Sequence, residues 1–266
     1  MGGWIRGILP PILARPLRRR WGTRLRGRFE DWRSAQARCG AGYAKPELIR
    51  ELAAAAAAVL DGRVAWERDG HGFAEPSPDW RLIALIHAVA EGASPVRILD
   101  IGGGMASAWT RNRCWLPERI SWRVVEQPGV VAAAVDLFRG HPVAFTADLA
   151  SALADGDADI VHFGSVLQYL EDPWQLVESC LAIHPRMLFI DRTPFSSTVR
   201  KDEIVVQEVP RRLGGARYPS WIFARSAFGS RLPEGYRIFS DEATDDLCDR
   251  CDVSYRAISL IRKAQA

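Results

Sequence analysis

The chain has 266 residues, 48% of them apolar, which is enough for one α/β domain with a buried core and an N-terminal extension. No run of eighteen apolar residues occurs, so we expect no membrane-spanning helix. The five cysteines are odd in number and scattered, which is typical of a reduced, cytoplasmic protein. Cys248 and Cys251 have no second cysteine pair and no nearby histidine, so we predict no metal site.

The net charge of +3 is distributed unevenly along the chain. Residues 1–28, called here the basic segment, carry eight arginines and no acidic residue, while the rest of the chain is acidic on balance. Apolar residues such as Trp4 and Ile8 lie among these arginines, which suits peripheral contact with a membrane surface or an anionic partner. A disordered tail or a helix packed on its own domain fits the same composition. We predict no nucleic-acid partner.

Two helices are predicted between residues 29 and 94. Residues 46–60 begin with a proline, which suits a first helical turn, and contain a run of alanines. Residues 80–91 have apolar side chains at helical spacing. Beyond this helical region short strands alternate with helices. The predicted strands are 96–101, 121–126, 143–146, 159–164 and 186–191, and the main helices between them are 130–139 and 173–183.

This alternation predicts a doubly wound, Rossmann-like α/β sheet that is mostly parallel. Residues 236–240 and 253–262 read as two strands joined by an acidic loop without a helix, so we expect them to pair as a C-terminal antiparallel hairpin. The predicted organisation is therefore the basic segment, an N-terminal helical extension over 29–94, and a main domain over 95–266 with an insertion at about 196–230.

A glycine turn, residues 102–104, follows the first strand of this sheet. Asp100 ends the strand, and Gly102, Gly103 and Gly104 give the spacing Asp-x-Gly-x-Gly. Glycine has no Cβ, so the backbone of such a turn can approach a ligand closely. A turn that serves only packing is the alternative interpretation.

Polar residues also stand at the ends of the next strands, where ligands of open parallel sheets bind. Glu126 ends the second strand, and a carboxylate there can accept hydrogen bonds from both hydroxyls of a ribose. Asp148 follows the third strand, near the expected position of an adenine amino group, and Ser165 follows the fourth. A single acid of this kind is more often a helix cap, but their succession behind a glycine turn predicts a nucleoside site.

Candidates for binding a second substrate follow the last two parallel strands: Gln168, Tyr169, Asp191, Arg192 and Thr193. Asp191 is the predicted general base because it stands at a strand end. His162 lies inside a strand and is interpreted as a core histidine. In the insertion, Tyr218 and Trp221 lie near several arginines and suit an anionic or sugar acceptor, although aromatic residues there can equally cover the edge of the sheet.

Seven segments between residues 29 and 223 together resemble a family of bacterial methyltransferases often associated with lipopolysaccharide or O-antigen synthesis genes. The segments are Phe29-Glu30-Asp31-Trp32, Trp66-Glu67-Arg68-Asp69, Leu99-Asp100-Ile101-Gly102-Gly103, Trp122-Arg123-Val124-Val125-Glu126-Gln127-Pro128, Ser165-Val166-Leu167-Gln168-Tyr169-Leu170, Ile190-Asp191-Arg192-Thr193-Pro194-Phe195 and Tyr218-Pro219-Ser220-Trp221. The Val-Glu-Gln-Pro and Asp-Arg-Thr-Pro-Phe strings are the specific ones. The resemblance implies a class I methyltransferase fold and S-adenosylmethionine as the cofactor.

From the residues and the resemblance together we predict a cytoplasmic S-adenosylmethionine-dependent methyltransferase that forms an O-methyl bond on a saccharide or related small acceptor, in polysaccharide biosynthesis. The glycine turn and Asp100 would lie at the methionine part of the cofactor, Glu126 with Gln127 at the ribose, Asp148 at the adenine, and Ser165 beside them. One alternative is an NAD(P)-dependent oxidoreductase, but no lysine follows Tyr169 at the spacing that hydride transfer needs. The other alternative is a non-catalytic nucleoside-binding module in a glycan assembly complex.

Overall fold

The computed structural model of the protein describes residues 22–39, 46–90, 94–154, 156, 158–209 and 215–263. The elements in chain order are β1 (Arg24–Phe29), α1 (Trp32–Gln36), α2 (Pro46–Leu60), β2 (Trp66–Arg68), β3 (His71–Phe73), α3 (Trp80–Val89), β4 (Val96–Ile101), α4 (Ser107–Asn112), β5 (Ile120–Val125), α5 (Pro128–Leu137), β6 (Val143–Thr146), α6 (Leu149–Ala154), β7 (Ile160–Gly164), α7 (Pro173–Ala182), β8 (Met187–Ser196), β9 (Glu203–Glu208), β10 (Arg217–Ala224), α8 (Arg225–Phe228), β11 (Tyr236–Ala243) and β12 (Val253–Arg262). Residues 1–21, which are most of the basic segment, lie outside the described residues. The predicted membrane contact of the basic segment falls mostly on these residues.

The central sheet has the strand order β6-β5-β4-β7-β8-β12-β11. Strands β4 to β8 are parallel, whereas β12 is antiparallel to both β8 and β11. This confirms the predicted doubly wound sheet and its C-terminal antiparallel hairpin. Chain order reverses between β4 and β7, so the glycine turn after β4 lies at the topological switch point, where open α/β sheets bind their ligands.

Successive side chains of β4 face opposite sides of the sheet, as strand geometry requires. Ile98 packs into a core with Leu52 of α2 and Ile86 of α3. Leu99, the next residue, packs into a second core with Val177 of α7. Each large apolar side chain buried in this way contributes about 1.5–3 kcal/mol, and the two cores hold the carboxyl ends of the strands in fixed positions.

The segment between residues 29 and 94 contains the predicted helices and, in addition, the short hairpin β2–β3. Helix α2 begins at Pro46 and ends at Leu60, as expected. Helix α3 begins after Asp79, whose side chain accepts hydrogen bonds from the backbone N–H groups of Arg81 and Leu82. In β2–β3 the rings of Trp66 and Phe73 stack with their centroids 4.2 Å apart. This hairpin places the 66–69 segment beside α4, the helix that follows the glycine turn.

The last residues of the basic segment form a strand and not a helix or a tail, which corrects both interpretations of its composition for residues 24–28. Strand β1 pairs antiparallel with β9. The buried side chain on this strand is Leu25, and arginines flank it. Arg26 forms an ion pair with Asp249, and Arg28 forms one with Glu203 at 2.9 Å. The arginines therefore meet acids of the same domain.

Strand β8 continues past its predicted end at Asp191 to Ser196, and this extension carries a second, smaller group of strands. Strand β7 ends opposite Asp191, where Gly164 is the last paired residue. Beyond that point β10 takes its place, because Phe223 pairs with Phe195 and Ala224 with Ser196. The antiparallel strands β10, β9 and β1, called here the cap sheet, therefore lie beyond the carboxyl end of β7.

Candidate functional site

The glycine turn has backbone conformations and contacts that only glycine fits. Gly102 has a φ of +65°, and a Cβ there would lie 2.4 Å from Cγ2 of Val166. A Cβ on Gly103 would lie 2.4 Å from Oδ2 of Asp100. At Gly104, by contrast, a Cβ would meet only Oγ of Ser107, at 3.8 Å. The turn is thus packed against the protein at its first two glycines and open at the third.

Asp100 lies under this turn and is fully buried. Its two carboxylate oxygens accept hydrogen bonds from Nε1 of Trp122, at 3.0 Å, and from Nδ1 of His162, at 2.9 Å. Burial alone would lower the pKa of His162, but the adjacent Asp100 carboxylate outweighs it and raises that pKa above its usual range. The interpretation of His162 as a core histidine fits this position, and direct cofactor contact by Asp100 stays a prediction.

Glu126 reaches the same turn from the end of β5. Its Oε1 accepts a hydrogen bond from the N–H of Gly104 at 3.2 Å, and its Oε2 accepts one from the N–H of Gln127 at 2.7 Å. Burial raises the pKa of Glu126, although these two backbone hydrogen bonds oppose the shift. The side chain of Gln127 is exposed at the start of α5. The structure therefore brings the predicted ribose carboxylate against the glycine turn.

Asp148 and Ser165 take different positions around this site. Asp148 is exposed after β6 and accepts a hydrogen bond from the N–H of Ser151 at 3.0 Å, so it caps α6. Ser165 has a φ of +63° and donates its backbone N–H to the carbonyl of Asp191 at 3.0 Å. Its hydroxyl accepts a hydrogen bond from Nε2 of Gln168 at 3.0 Å. Ser165 therefore joins the end of β7 to the middle of β8, because β8 continues to Ser196 and Asp191 does not end the strand as predicted.

The predicted residues on β8 form a compact charged pair. Asp191 is 7% exposed, and Nε of Arg192 donates to its Oδ2 at 3.2 Å. Arg192 has a φ of +49°, which is uncommon for a residue with a side chain. Burial raises the pKa of Asp191 even though Arg192 opposes that shift. The hydroxyl of Thr193 is fully buried and donates to the backbone carbonyl of Asp191, so Thr193 stabilises this bend.

Two buried glutamines lie at Tyr169, one in the turn after β7 and the other in β9 of the cap sheet. Gln168 is fully buried, and Gln207 of β9 donates from Nε2 to the hydroxyl of Tyr169 at 2.6 Å. Among the described residues, neither glutamine has a hydrogen-bond partner for its Oε1. Burial raises the pKa of Tyr169 to about 12, so its hydroxyl stays protonated at neutral pH. Unpaired buried amide oxygens are costly, and a ligand that donates hydrogen bonds would satisfy them.

The two aromatic residues predicted in the insertion differ in what they contact. The ring of Tyr218 meets that of Tyr169 edge-on, with centroids 6.0 Å apart. Trp221 stacks on Trp32 with centroids 6.0 Å apart and donates Nε1 to the carbonyl of Leu170 at 2.9 Å. Tyr218 therefore stays beside the acceptor candidates, while the contacts of Trp221 hold the cap sheet to its neighbours.

Sequence reasoning missed Gln207 and Glu67 as site residues. Gln207 lies in an apolar strand, and a polar residue there was the available signal. Glu67 of β2 was part of a matching segment but received no role. It is 2% exposed and accepts a hydrogen bond from the hydroxyl of Ser107, the first residue of α4 after the glycine turn.

Two surface crevices lie elsewhere and share only Trp221 with the predicted site. One, of about 500 Å³, is lined by residues that include Trp174 and Arg231, and the other, of about 530 Å³, includes Arg28 and Arg200. We place the site at the glycine turn because the buried polar groups converge there.

In the part of the chain that the structure describes, no group of three or more His, Cys, Asp or Glu side chains is arranged to hold a metal ion. Among the same residues no helix has the length and apolar character needed to cross a membrane.

Comparison with solved structures finds similar chains, and the first of those named here supports the fold. The [4+2]-cyclase SpnF is 17% identical with a TM-score of 0.52, and the match covers 91% of this chain and 99% of that one. The N-terminal domain of EvdMO1, solved in the presence of SAH and D-fucose, is 17% identical with a TM-score of 0.48 and coverages of 81% and 97%. The glycopeptide N-methyltransferase MtfA, complexed with S-adenosylmethionine, is 12% identical with a TM-score of 0.49 and coverages of 74% and 100%. Comparison with protein-family models finds no match, and comparison with curated proteins finds none either.

Proposed function

We propose that the protein is an S-adenosylmethionine-dependent methyltransferase that methylates a hydroxyl group of a saccharide or a related small acceptor. The observation that carries this proposal is the contact between Glu126 and the N–H of Gly104, at 3.2 Å. It joins a carboxylate from the strand next to β4 with the open end of the glycine turn. A nucleoside needs both features, a close backbone approach and an acceptor for its ribose hydroxyls.

The residues at this turn fit the cofactor. Gly104 leaves space for a ligand, and each carboxylate oxygen of Glu126 has a second lone pair that can accept from a ribose hydroxyl while its backbone hydrogen bond is kept. Asp148, which follows the next strand outward, is exposed and is assigned to the adenine. When bound, the cofactor supplies an electrophilic methyl group on a sulfonium. EvdMO1 and MtfA have been solved with SAH or S-adenosylmethionine, which agrees with this choice of cofactor.

The acceptor is assigned to the residues around the Asp191–Arg192 bend of β8 and the neighbouring face of the cap sheet. Its groups are Asp191 and Arg192 with Gln168, Tyr169 and Tyr218. Burial raises the pKa of Asp191, which makes its carboxylate a stronger base for the proton of an acceptor hydroxyl. The unpaired Oε1 atoms of Gln168 and Gln207 favour an acceptor rich in hydroxyl groups, because they accept hydrogen bonds and donate none.

Calorimetric titration with S-adenosylhomocysteine and with NAD⁺ tests the donor assignment. We expect the wild-type protein to bind S-adenosylhomocysteine and not NAD⁺. Glu126→Ala should weaken that binding by about 1–3 kcal/mol, the usual effect of losing a charge-assisted hydrogen bond. Asp136→Ala is the matched control, because Asp136 is an exposed carboxylate on the adjacent helix that forms an ion pair with Arg139.

Binding of NAD⁺ alone would contradict the proposal in favour of an oxidoreductase. Transfer of labelled methyl groups to a panel of free and nucleotide-linked sugars then tests the reaction itself. Donor binding without transfer to any acceptor would instead support a non-catalytic nucleoside-binding module. The fold alone does not decide between these outcomes, since SpnF is a cyclase.

A further inference from the structure

The hairpin β2–β3 brings a buried carboxylate to the glycine turn. Oε1 of Glu67 accepts a hydrogen bond from the hydroxyl of Ser107, and its Oε2 accepts one from the N–H of Gly70 at 3.2 Å. Ser107 is only three residues from Gly104, which Glu126 contacts. Two carboxylates from different parts of the chain therefore border the same turn.

Glu67 differs from the other buried carboxylates in its partners. Asp100 contacts His162, and Asp191 contacts Arg192. Within the described part of the chain, Glu67 contacts neutral donors only, the Ser107 hydroxyl and the Gly70 N–H. Burial raises the pKa of Glu67, and the charge of Arg192, which pairs with Asp191, opposes this shift without reversing it, so the charged form of Glu67 is costly. A cationic ligand that enters beside it would remove this cost.

We propose that Glu67 binds the α-ammonium group in the methionine part of the cofactor. This inference rests on the proposed function, because it places the ribose at Glu126 and the methionine part along the same turn. An ammonium group offers three hydrogen-bond donors and a full positive charge, which matches a carboxylate held by neutral donors. The hairpin thus contributes a binding residue from outside the parallel sheet.

Glu67→Gln separates this role from a purely structural one. The amide can still accept from the Gly70 N–H and donate to the Ser107 hydroxyl, so the hairpin should keep its position, and the melting temperature should not fall, because the variant no longer buries a charge. The probes are S-adenosylhomocysteine, which carries the ammonium group, and methylthioadenosine, which lacks the whole amino-acid part. We expect the variant to bind S-adenosylhomocysteine about tenfold or more weakly and methylthioadenosine with unchanged affinity.

Equal weakening of both ligands, or of neither, would overturn the inference while leaving the donor assignment intact. Glu126→Gln is the control and should weaken both ligands, because both contain the ribose. If the wild-type protein binds neither ligand, the proposed function fails and this inference fails with it. A second measurement needs no variant and so does not depend on a variant folding correctly. An S-adenosylhomocysteine analogue with hydrogen in place of the α-amino group should bind the wild-type protein at least about tenfold more weakly than S-adenosylhomocysteine does. Equal affinity for the two ligands would refute the role of Glu67.

Discussion

Three carboxylates are almost fully buried among the described residues, and they differ in what neutralises them. Asp191 forms an ion pair with Arg192, and Glu67 accepts hydrogen bonds from neutral donors. Asp100 pairs with His162, whose charge depends on pH. The ring of His162 stacks on Phe189 with centroids 5.5 Å apart, and the residue is held inside β7. The support under the glycine turn is therefore an ion pair that titrates, not a permanent one.

The stability of the protein should fall as this histidine loses its proton. Because the pKa of His162 is raised in the folded state, the pair stabilises the fold fully below about pH 6.5, and this contribution is lost as pH rises through the folded pKa. His162→Gln keeps a hydrogen-bond donor toward Asp100 but removes the charge. Urea unfolding of both proteins over a pH series should show that the wild-type advantage shrinks with rising pH. An advantage that is constant over the series would show that the pair is not charged.

At the scale of elements, one carboxylate reinforces the end of the β8–β12 ladder. Asp252 precedes β12 and accepts hydrogen bonds from the hydroxyl of Ser196, at 2.7 Å, and from Nη2 of Arg250, at 2.7 Å. The hydroxyl of Thr198 donates to it as well, at 3.0 Å. These contacts hold the end of the β8 extension, which pairs with β10 of the cap sheet.

Asp252→Asn should weaken this junction at neutral pH and leave it unchanged in acid. The hydrogen bond and charge of Arg250 hold the pKa of Asp252 well below its usual range, so the carboxylate stabilises the fold above about pH 4 and this contribution is lost as pH falls. We expect a loss of about 1 kcal/mol in the free energy of unfolding, since the pair is partly exposed to solvent. Chemical denaturation at neutral and acidic pH measures it. A difference that grows on acidification would contradict this account.

The elements differ in how far local sequence specifies them. The parallel strands and the hairpin β11–β12 were predictable because their apolar runs are bounded by turns and need no distant partner to be recognised. Strand β1 was not, because Leu25 stands among arginines that become compatible with a strand only beside the acids of β9 and its neighbours. Glu67 and Gln207 were not predicted as site residues for the same reason, because packing between distant segments buries them.

At the scale of the whole molecule, β1 connects three distant parts of the chain around the acceptor side of the site. It pairs with β9, and the N–H of Leu25 donates to Oδ1 of Asp249 in the loop before β12. Thr23 donates its N–H to the carbonyl of Leu247 in the same loop. The side chain of Leu25 packs with Val205 and Ile222 in a small core of its own. Strands β9 and β10 are therefore stabilised by a residue of β1, far from them in sequence.

Leu25→Ala should destabilise the protein and act on the acceptor side more than on the donor side. Removing this 5% exposed side chain leaves a cavity, which we expect to cost about 2–4 kcal/mol in the free energy of unfolding. Leu25 lies opposite Gln207 in the β1–β9 register. The cavity would therefore loosen β9, the strand that carries this acceptor-side glutamine. The glycine turn and Glu126 belong to the central sheet and should be affected less. Arg24→Ala, at the exposed neighbouring position, is the control and should change little. Urea unfolding together with titration of S-adenosylhomocysteine measures both effects. Weaker donor binding in Leu25→Ala at temperatures where it is folded would mean that the cap sheet also shapes the donor site.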